Sequence, residues 1–218
     1  VRLIFLGAPG VGKGTQAARL SKLHGVPHIA TGDMLRSAVS RKTPAGLAVK
    51  SYLDEGKLVP DSVVIDIVRE RLDEADTRAG FVLDGFPRTV VQADALAEVL
   101  VKKKVEMTRA IFFSLDESVL VERISGRRSC PACSTVYHLV HYPPKREDVC
   151  DCGATLVHRK DDAPETVKAR LVVYHSETTP LVHYYQAKNL LAQIDAAGTP
   201  EMVAKRVEAA ISASACGG

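Results

Sequence analysis

Gly7-Ala-Pro-Gly10-Val-Gly12-Lys13-Gly14-Thr15 gathers the residue types that hold a polyphosphate. Its glycines let the backbone turn tightly and approach a ligand with no Cβ in the way. The loop's N–H groups and the positive end of a following helix converge on one place, which suits an anion. Lys13 adds a mobile positive charge for β- and γ-phosphates. The mostly apolar run Arg2–Leu6 reads as a buried strand, and Gln16, Ala17, Ala18, Leu20 and Leu23 read as a helix. That strand–loop–helix context separates a phosphate-binding loop from a glycine-rich turn. Gly14, between Lys13 and Thr15, departs from the general pattern, giving G-x-x-x-x-G-K-G-T.

A second group follows at Phe81-Val-Leu-Asp84-Gly85-Phe-Pro-Arg88, a strand ending in an aspartate and a turn. An acidic residue at a strand end beside a phosphate loop holds Mg²⁺, directly or through water. Arg88 can grip a phosphate with its planar fork. Arg36, Arg123, Arg127, Arg159 and Arg170 are spread over other strand ends and loops, and together with Arg88 they point to several phosphates being clamped. Phosphoryl transfer needs this, because its chemistry is mostly positioning and neutralisation of charge on the equatorial oxygens. No Ser-His-Asp or Cys-His arrangement stands out, and direct transfer needs none.

Cys130-Pro-Ala-Cys133 and Cys150-Asp-Cys152 lie sixteen residues apart and read as a structural zinc ribbon. The first pair has the usual C-x₂-C spacing, and the second, C-x-C, is tighter. His138 and His141 lie between the pairs as substitute ligands, and Cys216, in the tail, reads as a free thiol. A zinc ribbon also suits nucleic acid. The arginines here flank the segment without forming a dense stripe, aromatics are scarce, and the net charge is only +3, so no nucleic-acid partner is expected.

The elements that position these residues alternate. Strand-like runs fall at Arg2–Leu6, 27–30, Phe81–Asp84, 110–115 and 190–194, with helical patterns between them. This predicts an α/β protein with a parallel sheet covered by helices on both faces. The longest helical pattern starts near Pro164 and carries Val167, Leu171, Tyr174, Thr178, Leu181 and Tyr185, and Pro180 is expected to kink or divide it. A final helix spans about 201–211, and the small, polar tail 212–218 is expected to fray. Residues 31–61 and 125–158 break the alternation and read as insertions into one nucleotide-binding core formed by 1–30, 62–124 and 159–218. A chain of 218 residues can bury a large core of this kind. No apolar run approaches the roughly 18 residues of a membrane span. The first apolar run is short and leads straight into the phosphate loop, so no signal peptide is read and a cytoplasmic protein, or one in an equivalent reducing compartment, is expected. In that compartment cysteines serve as metal ligands or stay inert.

The loop at 7–15, Thr31-Gly-Asp-Met-Leu-Arg36, Gly56-Lys-Leu-Val-Pro-Asp61, Asp84-Gly-Phe-Pro-Arg88, Gly126-Arg-Arg128, Val136-Tyr-His138 and Arg159-Lys-Asp-Asp162 together resemble the adenylate kinases, in particular the long bacterial type with a zinc-bearing lid. The likeness covers about residues 1–212, and the glycine after the loop lysine is that family's habit. The resemblance implies a P-loop three-layer fold with a five-stranded parallel sheet, a helical AMP-binding insertion at 31–61 and a zinc-bearing lid over ATP at 125–158. It implies a monomer that reversibly transfers the γ-phosphoryl of ATP to AMP, giving ADP, with Mg²⁺.

By matching motif, Lys13, Arg88, Arg123, Arg127, Arg159 and Arg170 take catalytic positions. Gly10, Gly12, Lys13, Gly14, Thr15, Arg123, Arg127, Val136, Tyr137 and Gly198 face ATP. Thr31, Arg36, Val59, Gly85, Arg88, Gln92, Arg159 and Arg170 face AMP, with Gln92 on the adenine edge. Cys130, Cys133, Cys150 and Cys152 hold zinc, Asp84 anchors Mg²⁺ through water, and Asp161 and Asp162 help close the lid. Two departures stand out: the second ligand pair is shorter than the family's usual C-x₂-C or C-x₂-D, so that Cys152, Asp151 or a histidine completes the set, and Ser134 replaces the glycine common after the second lid cysteine. The rival readings are a sister kinase with another base preference and a non-catalytic nucleotide-binding zinc protein. Thr31 and Gln92 favour AMP.

Overall fold

The computed structural model describes residues 1–213, apart from the side chain of Ala45. Cys216 and most of the polar tail lie outside the described residues. The chain runs β1 (Arg2–Leu6), α1 (Lys13–His24), β2 (His28–Ala30), α2 (Thr31–Ser40), α3 (Pro44–Asp54), α4 (Asp61–Asp73), β3 (Phe81–Asp84), α5 (Val90–Lys103), β4 (Arg109–Ser114), α6 (Glu117–Ser125), β5 (Arg127–Ser129), β6 (Val136–His138), α7 (Pro164–Val173), α8 (Pro180–Ala187), β7 (Leu191–Asp195) and α9 (Pro200–Ser212). Five strands form a parallel sheet in the order β2-β3-β1-β4-β7.

The sheet sorts its side chains by the two-residue period of a strand. Leu3 and Phe5 of β1, with Val82, Ile111 and Phe113, pack under α1, α6, α7 and α9 through Ala17, Leu20, Leu120, Ile124, Val167, Leu171, Val203 and Val207. Ile4 and Leu6, with Ile29, Leu83 and Ala110, face the other way and meet Leu35, Val64, Val68, Leu96 and Leu181 from α2, α4, α5 and α8. Near-continuous apolar strands with helices on both faces are what a buried parallel sheet requires. The small antiparallel pair β5–β6 has its own core of Cys130, Tyr137, Cys150 and Leu156.

The expected elements are present, with boundaries shifted by a residue at β2, β4, β7 and α9. The helical pattern after Pro164 is divided: α7 ends at Val173, a π-helical turn covers Tyr174–Thr178, and Pro180 opens α8. Proline suits the first turn of a helix, where its missing N–H leaves no bond unmade.

The topology places chemistry at one edge of the sheet. β1 and β3 are neighbours although far apart in sequence, with Phe5 opposite Asp84. Their carboxyl ends therefore carry the glycine loop and Asp84 side by side, where open α/β sheets bind ligands.

Candidate functional site

The glycine loop leaves β1 and enters α1 through Gly12, which has a φ of 102°. At two positions the absence of a Cβ matters, most at Gly10. Gly10 has a φ of +82°, and a Cβ there would stand 2.5 Å from Ile124 Cγ1. Gly14 is helical, but its Cβ would sit 3.3 Å from Asp84 Oδ2. The glycine that departs from the general loop pattern thus lets α1 pass close to the aspartate on β3.

Lys13 folds back over its own loop, its Nζ donating to the carbonyls of Gly7 at 2.7 Å and Ala8 at 2.9 Å. Burial pushes its pKa down to about 8; Asp84 opposes the fall, while Arg88, Arg170 and Arg127 add to it. Asp84 is buried too, which works against its charge, but its hydrogen bond with His28 and the nearby Lys13 hold its carboxyl below the usual range. The His28 Nε2 to Asp84 Oδ2 distance is 3.3 Å. A carboxylate kept ionised beside a phosphate loop is the donor chemistry that Mg²⁺ takes.

Two clefts adjoin here. One, of about 540 Å³ out to its open mouth, is lined by Thr31, Arg36, Val59, Gly85, Arg88, Gln92 and Arg170, among others. The second, of about 530 Å³, is lined by Gly7, Pro9, Lys13, Gly85, Arg88, Arg170, Tyr174 and Thr178, among others. Arg88 and Arg170 belong to both walls. Seven of the eight residues expected around AMP line one cleft, Arg159 lining neither; the loop lysine faces the other, and two arginines stand between.

A backbone carbonyl holds Arg88, and carboxylates hold the arginines around it. Arg88 Nε donates to the Gly85 carbonyl at 2.9 Å, and Thr31 Oγ1 donates to the same oxygen at 2.8 Å. Arg36 reaches Asp33 at 2.5 Å and Asp161 at 3.8 Å, and Arg159 reaches Asp33 at 3.4 Å. Arg170 NH1 donates to the Asp161 carbonyl at 3.0 Å and to its Oδ2 at 2.9 Å. Arg127 pairs with Asp162, raising the guanidinium pKa against the effect of burial. Burial lowers Arg159 and Arg170 to about 10, so both remain charged at neutral pH.

Gln92 is used internally: its Oε1 accepts from Arg88 N at 2.8 Å and its Nε2 donates to Asp61 Oδ1 at 2.7 Å. The other nucleotide positions lie outside both clefts. Arg123 NH1 and NH2 donate to the carbonyls of Ala196 and Gly198 at 3.2 and 3.5 Å. Val136 and Tyr137 belong to β6, and the Tyr137 hydroxyl lies 3.5 Å from Cys150 Sγ and accepts from Asp151 N at 3.1 Å. Tyr137 is thus a core residue of the small β5–β6 unit.

Cys130, Cys133, Cys150 and Cys152 bring their sulfurs within 4.8 Å of one another. The pairs Cys130–Cys152 and Cys133–Cys150 are each separated by 3.5 Å, and all four are free thiols. Sulfurs about 2.3 Å from a tetrahedral metal lie roughly 3.8 Å apart, so this set fits one ion. Hydrogen bonds of Thr135 lower the Cys133 pKa to about 6, favouring the thiolate that a metal binds. The short C-x-C pair closes because Gly153, at a φ of 90°, turns the chain and donates to the Cys150 carbonyl at 2.8 Å. Asp151 lies 3.5 Å from Lys145, the His138 and His141 rings lie against each other at 4.4 Å, and Cys152 is the residue that joins the other three sulfurs in the cluster. Ser134 takes a φ of 60°, the conformation a glycine adopts without strain.

Sequence reasoning missed His28, Asp33 and Asp61. Asp33 left a signal, standing three residues before Arg36 on one helix. His28 and Asp61 meet their partners across 56 and 31 residues, and no local spacing marks such pairs. Tyr174 and Thr178 read as part of an apolar stripe, yet they line the second cleft.

Fold and site define a P-loop enzyme of nucleotides. The sequence matches the family model described as Adenylate kinase over residues 5–190. It is 50% identical over 202 residues to an adenylate kinase of Clostridium tetani, covering 92% of this chain and 93% of the relative. It is 50% identical over 214 residues to that of Citrifermentans bemidjiense, covering 98% and 100%, and 49% identical over 210 residues to that of Archaeoglobus fulgidus, covering 96% and 97%. The chain belongs to the adenylate kinase family, the nucleoside monophosphate kinases that use ATP, AMP and ADP. Among the described residues no helix is long and apolar enough to cross a membrane.

Proposed function

We propose that the cleft at Lys13 takes the phosphates of ATP, that the cleft at Thr31 takes AMP, and that the γ-phosphoryl passes directly between them in line. The observation that carries this reading is the shared wall: Arg88 and Arg170 line both clefts. A group moving from one cleft to the other stays beside two guanidinium groups throughout, which is the neutralisation that charge on the equatorial oxygens needs.

In this reading Gly10, Gly12, Gly14 and Thr15 cradle the donor phosphates, and Lys13 leaves the Gly7 and Ala8 carbonyls for them. Arg123, Gly198 and the backbone of Val136 and Tyr137 flank the donor base, with Arg127 on its phosphates. Thr31, Arg36, Val59, Gly85 and Gln92 bind the acceptor, and Arg159 joins Arg88 and Arg170 at the transferring group. Asp84 holds Mg²⁺ through water, and that ion adds positive charge at the phosphates. Residues 31–61 and 125–158 act as two flaps on the core formed by 1–30, 62–124 and 159–218; closing them keeps water from the phosphoryl group, and opening them can set turnover.

Zinc on Cys130, Cys133, Cys150 and Cys152 stiffens the small 125–158 unit, whose own core is only a few residues. A cluster of free thiols fits a reducing, cytoplasmic setting. Because one chain lines both clefts, a monomer suffices.

A coupled assay with ATP and each of AMP, GMP, CMP and UMP tests the acceptor. AMP should be strongly preferred. Equal or better rates with UMP would move the protein to a sister kinase, and nucleotide binding without ADP formation would reduce it to a sensor.

A further inference from the structure

The loop between β7 and α9 has its carbonyls held one by one. Arg206 NH1, from α9, donates to the carbonyls of Asp195 at 2.7 Å and Ala197 at 2.6 Å. Arg123, from α6, takes the two carbonyls in alternation with these, Ala196 at 3.2 Å and Gly198 at 3.5 Å. Gln16 Nε2, from α1, donates to the Pro200 carbonyl at 2.9 Å. Asp195 closes the set: its Oδ2 lies 3.4 Å from Arg206 NH1 and its Oδ1 accepts from Ala197 N at 2.8 Å. Two helices, α6 and α9, therefore fix the orientation of successive peptide planes from Asp195 to Gly198, and α1 ties down the first residue of α9 just beyond them.

Nothing in the phosphate chemistry needs this. A row of oriented carbonyls does suit a purine base with an exocyclic amino group. Adenine offers an amino donor where guanine offers an oxo acceptor, so carbonyls facing that edge attract one base and repel the other. Which way a carbonyl faces decides the discrimination, and a peptide plane freed from its partner can rotate.

We propose that Arg206 is a positioning residue for the donor base: by holding the Asp195 and Ala197 carbonyls, it keeps the alternate carbonyls turned toward the side of Arg123, where the base of ATP sits. This rests on the reading that the donor base lies beside Arg123 and Gly198. Arg206 itself touches no substrate and acts through the loop.

The test is calorimetric binding of ATP, GTP and inorganic tripolyphosphate to the full chain carrying Arg206→Met or Arg206→Lys. One nitrogen makes both carbonyl bonds, so a lysine ammonium can stand in for it. Arg206→Met should weaken ATP about tenfold, leave tripolyphosphate within about twofold and narrow the preference for ATP over GTP, and Arg206→Lys should restore most of the loss. Unchanged ATP binding in Arg206→Met overturns the proposal. So does an equal loss of ATP and tripolyphosphate, which marks a merely structural arginine, or a failure of lysine to restore. Arg123→Met separates the two levels of inference. If it leaves the advantage of ATP over tripolyphosphate intact, the base does not sit there and the placement fails with the proposal. If it removes that advantage while Arg206→Met does not, only the role of Arg206 fails.

Discussion

Arg127 and Asp162 form a two-pronged ion pair, with Nε donating to Oδ2 at 2.8 Å and NH2 bonded to Oδ1, and the Asp162 side chain is fully buried. The pair joins the two ends of segment 125–158, since Arg127 opens β5 and Asp162 lies just past the return to the core. Arg170, 3.6 Å from Asp162 Oδ1, ties the same carboxylate to the wall between the clefts. Removing the charge from one partner of a buried pair leaves the other uncompensated, at a cost of about 3 kcal/mol. Asp162→Asn should therefore lose about that much in urea unfolding and lower kcat as well. A change within about 0.5 kcal/mol would show that the pair carries no such weight.

Lys13 gives a pH dependence. A lysine must be protonated to hold phosphate, and burial has brought its pKa to about 8 in the free protein. It is charged below that value and loses its proton as pH rises through it. Bound phosphates favour the charged form. The kcat/KM for ATP should thus fall above about pH 8 while kcat stays level to higher pH, because the first reports the free enzyme and the second the complex. For stability the sign is the other way: the folded pKa lies below the ordinary lysine value of 10.5, so the penalty for burying the charge is present below about pH 8 and is relieved as pH rises toward 10.5. Lys13→Met should lower kcat by roughly a thousandfold with the far-UV circular dichroism unchanged, and a near-normal rate would refute its role.

The sheet was legible in the sequence because its strands are short apolar runs bounded by glycines, aspartates and polar helices. Arg2–Leu6 and Phe81–Asp84 are placed to the residue. The glycine loop and the arginines were legible by residue type. What could not be read is how the arginines are held. The reach of Asp33 to Arg159, of Asp61 to Gln92 and of His28 to Asp84 joins residues that only the folded chain brings together, and a carboxylate on a helix looks the same whether it faces water or a guanidinium. Likewise, the C-x-C spacing left the fourth thiol open, because the turn at Gly153 depends on backbone geometry that spacing does not encode.

The cysteine cluster predicts one zinc per chain in protein purified without chelator. Cys152→Ser should lose the ion, and Asp151→Asn should keep it. Stripping the metal should lower the melting temperature by several degrees. Metal analysis finding no zinc, or loss on Asp151→Asn with retention in Cys152→Ser, would count against the four-thiol site.

Gly10 predicts a packing penalty. A methyl there meets Ile124 Cγ1 at 2.5 Å and must also adopt a φ of +82°. Strain and overpacking together cost about 3 kcal/mol, so Gly10→Ala should lower the melting temperature by roughly 6–12 °C. An unchanged melting temperature would mean that the loop relaxes freely past α6.

The most direct measurement of transfer between two adjoining clefts is stereochemical. ATP made chiral at the γ-phosphorus with oxygen isotopes is turned over with AMP, and the configuration of the transferred group is read in the ADP formed. A single in-line displacement past Arg88 and Arg170 inverts it. Retention would mean an intermediate on the protein and would contradict direct transfer.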